Sequence, residues 1–62
     1  MVPEIAIWRA ANLLIRRHGA DAELEPAKRA DLMLDRGDAA ARLLWIRIRR
    51  AIEAMQAPRQ AS

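Results

Sequence analysis

The chain has no cysteine, threonine, tyrosine or phenylalanine, and only one serine, one histidine and one valine. With no thiol, and with Ser62 as the single hydroxyl side chain, a nucleophile positioned by a neighbouring base is close to excluded, and an enzyme is not expected. The lack of cysteine also removes disulfides and thiolate zinc sites, which suits a cytoplasmic location. His18 has Asp21 and Glu23 near it in sequence, but one imidazole with carboxylates at loop spacing is a very weak metal signal. Its expected place is the end of a helix, where a partly cationic ring favours the last carbonyls. No metal and no cofactor are expected. Apolar runs fall well short of the roughly 20 residues that cross a bilayer. Glu4, and the interruptions by Arg9, Arg16 and Arg17, do not read as a signal peptide either.

What the chain does contain is fourteen alanines, ten arginines and seven leucines in 62 residues. These are strong helix formers, whereas the missing residue types are those a pleated sheet uses. One small all-α domain over residues 1–62 is therefore expected.

Proline and glycine divide it into three helices. Pro3 suits a first helical position, Glu4 complements the positive helix end, and Gly19 follows Arg16, Arg17 and His18 as a stop, so helix 1 is expected from about Pro3 to His18. Asp21 is available as a cap, but Pro26 lacks an N–H and biases Glu25 away from helical dihedrals. The expectation is a loop over 19–25 and a helix from Pro26 to Arg36. Gly37 then ends helix 2 and Asp38 caps helix 3, which should run from Ala39 to about Ala57 before Pro58 stops it. Arg59 to Ser62 are expected to form a frayed tail. The short link predicts an antiparallel hairpin of helices 2 and 3.

Helical spacing gives each helix an apolar stripe. Ile7, Trp8, Ala11, Leu14 and Ile15 share a face of helix 1. Pro26, Ala27, Ala30, Met33 and Leu34 form a narrower one on helix 2. Helix 3 has the strongest pattern: Ala41, Trp45, Ile48, Ile52 and Met55, with Leu44 and Ala51 beside them. Trp8 and Trp45 are accordingly expected as buried core anchors rather than as a stacking platform. Leu13, Leu32, Leu43 and Ile46 lie off these stripes. Leu43 and Ile46 belong to a second stripe on helix 3 with Ala39, Ala54 and Ala57, interrupted by Arg50. A chain this small buries only about 60% of its unfolded surface by itself, so a homodimer covering helix 3 is expected, with Leu43, Ile46, Arg50 and Leu13 as its interaction surface. The competing expectation is a monomer with a few exposed leucines.

The formal net charge of +3 divides into +2 over residues 1–20, −3 over 21–38 and +4 over 39–62, so much of it can be neutralised within the fold. Arg42, Arg47, Arg49 and Arg50 would serve a nucleic-acid-binding helix, the alternative function. Arg42 and Arg49 flank one edge of the main stripe, however, and Arg47 and Arg50 lie towards the other. Arginine stems covering the rim of a packed stripe are the commoner arrangement. A helix-turn-helix at Gly37 would have to expose Trp45, Ile48 and Ile52 or find them another partner. A basic helix bearing tryptophan also suits an anionic membrane surface, but the apolar face of helix 3 is expected to be occupied already. Asp31 and Asp35, one turn apart near Lys28 and Arg36, are expected on a solvated face.

The pattern Trp8, His18-Gly19 with Asp21-Ala22, Arg29-Ala30-Asp31, Leu34, Gly37-Asp38, Trp45, Ile48 and Ala51-Ile52 resembles a group of short, uncharacterised bacterial proteins. Their sequences share an HG-x-x-A loop, a GD turn and a downstream W-x-x-I. The likeness covers about residues 4–56, and every element of it is a cap, turn or core position. It implies a compact helical domain and carries no activity. The function expected is a non-catalytic interaction or regulatory module, self-associating through helix 3, with an unidentified protein as a further partner.

Overall fold

The computed structural model describes residues 2–57. It contains α1 (Glu4–His18), α2 (Leu24–Arg36) and α3 (Ala39–Gln56), with a 3-10 turn at Gly19–Asp21 between the first two, and no strand among the described residues. The expected all-α, three-helix architecture is the one observed. Pro58 and the tail from Arg59 to Ser62 lie outside the described residues.

Pro3 stands just before α1 rather than inside it, with φ −67°, and its carbonyl accepts the Ala6 N–H at 3.0 Å. Gly19 ends the helix with φ 57° and ψ −125°. That positive φ favours glycine, and it turns the chain directly into the 3-10 segment.

The start of α2 differs from expectation. It begins at Leu24, two residues ahead of Pro26, and the expected 19–25 loop is mostly 3-10 turn and helix. Pro26 is the third helical residue, and the N–H groups of a first turn have no intrahelical acceptor, so its missing donor costs no bond. Its burial, below 2% exposure, outweighs the bias it places on Glu25. Asp21 does not cap this helix; it is the last residue of the 3-10 turn, and Glu23 precedes α2 without a side-chain cap.

The turn from α2 to α3 matches the expected chemistry. Gly37 adopts φ 72° and ψ 19°; its N–H donates to the Leu34 carbonyl at 3.1 Å, and the Asp38 N–H donates to that of Met33 at 2.9 Å. This is a Schellman closure. The Asp38 carboxylate then accepts the Ala41 N–H at 3.0 Å, capping α3. One glycine and one aspartate thus close one helix and open the next, and they fold α2 back along α3.

Packing is concentrated on α3, which meets both α2 and α1, whereas α1 and α2 touch each other little. Val2 lies beside Leu43 and Leu44 near the start of α3, and at the far end the Gln56 Nε2 donates to the Gly19 carbonyl at 2.8 Å. The helix α1 therefore runs in the same direction as α3. The core joins Ile7 and Ala11 of α1, Ala22 of the connection and Ile48, Ala51 and Ile52 of α3, flanked by Leu14, Ile15, Leu44 and Trp45. Ala22 was not expected there; no exposure remains at it, and a small residue lets the connection approach α3.

Three expected core residues are exposed: Trp8 at 38%, Leu34 at 59% and Met55 at 43%. Trp8 sits at the edge of its stripe, and α2 does not reach across α1 to cover it. Leu34 and Met55 lie in the last turns of α2 and α3.

Ile52, fully buried on α3, is the natural test of this core. Ile52→Ala is expected to cost about 2–5 kcal/mol, most of what a chain of this size has at roughly 0.05–0.15 kcal/mol per residue. Leu34→Ala should cost about 0.5 kcal/mol or less. Thermal unfolding followed by circular dichroism checks both; equal melting of the two variants would contradict the assigned core.

Candidate interaction surface

The residues expected to form one interaction surface, three on α3 and Leu13 on α1, divide into separate environments. Leu43 is 59% exposed and borders a groove with Val2, Ala40, Leu44 and Arg47. Ile46 is half-buried and faces α2, in a cleft of about 240 Å³ whose other members include Ala27, Ala30 and Asp31. Arg50 is exposed between that cleft and the groove on the α1 side. Leu13 is exposed on α1. Val2, just before α1, lies beside Leu43, whereas Leu13 is roughly 14 Å beyond the start of α1 along its axis and does not join it. Of the four, Leu43 and Arg50 remain together on the outward side of α3.

The four arginines of α3 also separate. Arg42 and Arg49 line the α2 cleft with Asp31 and Glu53. Arg49 Nε stands 3.5 Å from the Glu23 carboxylate, both side chains partly solvated. Such a pair contributes little stability, but it directs the guanidinium towards the acidic segment. Arg47 and Arg50 instead line a groove with Glu4, Ile7, Trp8 and Ala54. The alternation along the helix thus sends Arg42 and Arg49 to the α2 flank and Arg47 to the α1 flank, while Arg50 borders both.

Trp45 is half-buried against the core as expected, and the Arg29 guanidinium lies 5.7 Å from its ring centroid. Arg29 Nε also donates to the Glu25 carboxylate at 2.9 Å. That hydrogen bond, one helical turn long, holds the Glu25 carboxyl below its ordinary range. The row Glu25, Arg29, Trp45 ties the surface of α2 to α3.

The solvent side of α1 was not singled out by its sequence. Ile5, Arg9, Asn12 and Arg16 recur at helical spacing and are all exposed, with Ile5 at 57% and the exposed Trp8 and Leu13 on either side. The available signal was that Trp8 stands at the margin of its stripe.

His18 is exposed as the last residue of α1, and Asp31 and Asp35 are exposed on α2. Among the described residues no group of three or more histidines, cysteines or carboxylates is placed to hold a metal ion. No helix among them is long and apolar enough to cross a membrane. The surface offers apolar contact and guanidinium charge, the chemistry of binding. No family model matches the chain, and neither a curated protein nor a solved structure shows significant similarity to it.

Because the folded-state value of Glu25 is lowered, its contribution is present above the ordinary glutamate range and is lost as pH falls through the folded value. Arg29→Gln is expected to move the Glu25 titration midpoint upward to that ordinary range in carbon-detected NMR and to shift Trp45 emission. An unmoved midpoint would show that the pair does not form in solution.

Proposed function

We propose that the protein is a non-catalytic helical interaction module that self-associates through the outward side of α3, with Leu43 as the anchor. One observation carries this: among the described residues nine large hydrophobic side chains are at least 38% exposed, whereas the buried core consists of three isoleucines and four alanines. Burial of apolar surface is the main term stabilising a fold, and here half of the large apolar side chains among the described residues keep more than a third of their surface in water within one copy.

Leu43 is among the most exposed of these side chains, at 59%, and the residues one turn before it on its side of the helix, Ala39 and Ala40, are small. Small neighbours let a second helix approach closely while the leucine supplies the contact area. Ile46 and Arg50 border the same side, Ile46 already half-covered by α2. An unidentified protein partner would meet the same apolar anchor. The phosphate-contacting alternative finds less support, because Arg42, Arg49 and Arg50 all line the cleft with the acidic Asp31 and Glu53, and only Arg47 stands away from it.

Sedimentation equilibrium tests this proposal. A species near twice 7.0 kDa is expected, reduced to monomer by Leu43→Glu with helicity unchanged, since Leu43 is outside the core. A wild-type monomer at high concentration would end the proposal. Affinity for DNA or RNA that falls steeply with added salt and disappears on replacing Arg47 and Arg50 would favour the alternative.

A further inference from the structure

The outward side of α1 has a composition opposite to that of an ordinary solvent face. Ile5, Trp8 and Leu13 are 57%, 38% and 50% exposed, and Arg9 and Arg16 continue the Ile5 stripe at spacings of four and seven residues. The one carboxylate of α1, Glu4, lies at the inner groove with Arg47 and Arg50, which flank Trp8 from α3. The acidic residues are gathered on the other side of α3: Glu23 and Asp31 face Arg49 and the α2 cleft. The result is a face rich in guanidinium and large apolar side chains, presented along a helix of 15 residues.

We infer that this face of α1 docks the protein onto the anionic phospholipid surface of a membrane, with the helix axis parallel to that surface. Charge complementarity selects an anionic occupant, and a second copy seated face to face would set Arg9 and Arg16 against their own counterparts. The apolar residues select lipid over nucleic acid. Isoleucine and leucine gain nothing from phosphates and little from the mostly polar base edges, but they enter the boundary between headgroups and acyl chains, as amphipathic helices do. An indole suits that boundary because its apolar body is buried while its N–H stays hydrated. The arginines extend from the same stripe to the headgroup phosphates, their stems lying along apolar surface. The face needs no rearrangement, because its residues are already exposed and α1 is held from behind by Ile7 and Ala11. It is separate from Leu43, so docking does not depend on self-association.

The test uses the full chain and vesicles of phosphatidylcholine with or without phosphatidylglycerol. Expected are co-sedimentation with the anionic vesicles only, weakened by salt, and a blue shift of tryptophan emission that Trp8→Phe removes while Trp45 remains. Each arginine near an anionic surface contributes enough that Arg9→Glu with Arg16→Glu should lower partitioning at least about tenfold. Ile5→Asp should lower it as well, with an unchanged circular dichroism melt because the position is exposed. Equal binding to neutral vesicles, no binding to anionic vesicles at low salt, or binding unaffected by Ile5→Asp would overturn the inference. So would competition by duplex DNA as strong as that by the anionic lipid, which would make the face a general polyanion site.

Discussion

The burial of one stripe of α3, centred on Ile48 and Ile52, is the constraint on which the rest of the molecule depends. Both other helices pack on α3 and hardly on each other. In a closed three-helix bundle each helix covers two others and a single central core forms. Here α3 alone is covered from two sides, so the apolar side chains nearest it are buried and those a quarter-turn away are not. Ile7 and Trp8 are adjacent in sequence, yet one is 4% exposed and the other 38%. The large solvent-facing apolar area follows from this geometry acting on a chain that is 53% hydrophobic.

The Gly37-Asp38 turn was fully legible because its chemistry is local: a glycine able to adopt positive φ followed by a carboxylate that caps the next helix. The early start of α2 was not, because it rests on a comparison between a backbone preference at Glu25 and the burial of Pro26, and burial is a tertiary quantity. Ala22 was hidden for a related reason. An alanine in a short connection has no periodic partner that would mark it as core. The second stripe of α3 was found as a pattern, but whether Ile46 belongs to the free side or to the α2 cleft depends on where α2 lies, which helical spacing on α3 alone does not contain.

Charge follows the same architecture. The negative segment at residues 21–38 is placed along one flank of α3, where Arg42 and Arg49 meet it, and the positive α1 is placed along the other with Arg47 and Arg50. A net charge of +3 is thus distributed as a basic flank and a largely compensated one. Exposed ion pairs such as Arg49 with Glu23 contribute little to stability, but they decide which guanidiniums are already engaged within the fold. Electrostatics here sets the orientation of approach more than the strength of the fold.

A core of three isoleucines and four alanines leaves little margin. Stability of a small domain is a small difference between large terms, and any surface that binds the folded state alone adds to it by mass action. Apolar residues that lie outside the core of one copy therefore need not be destabilising excess. Leu43 lies on α3 and Ile5 with Trp8 on α1, and covering either one withdraws apolar area from water without disturbing the buried Ile48 or Ile52. Any contact that covers one of them in the folded chain alone would shift the folding equilibrium towards the form that presents the other.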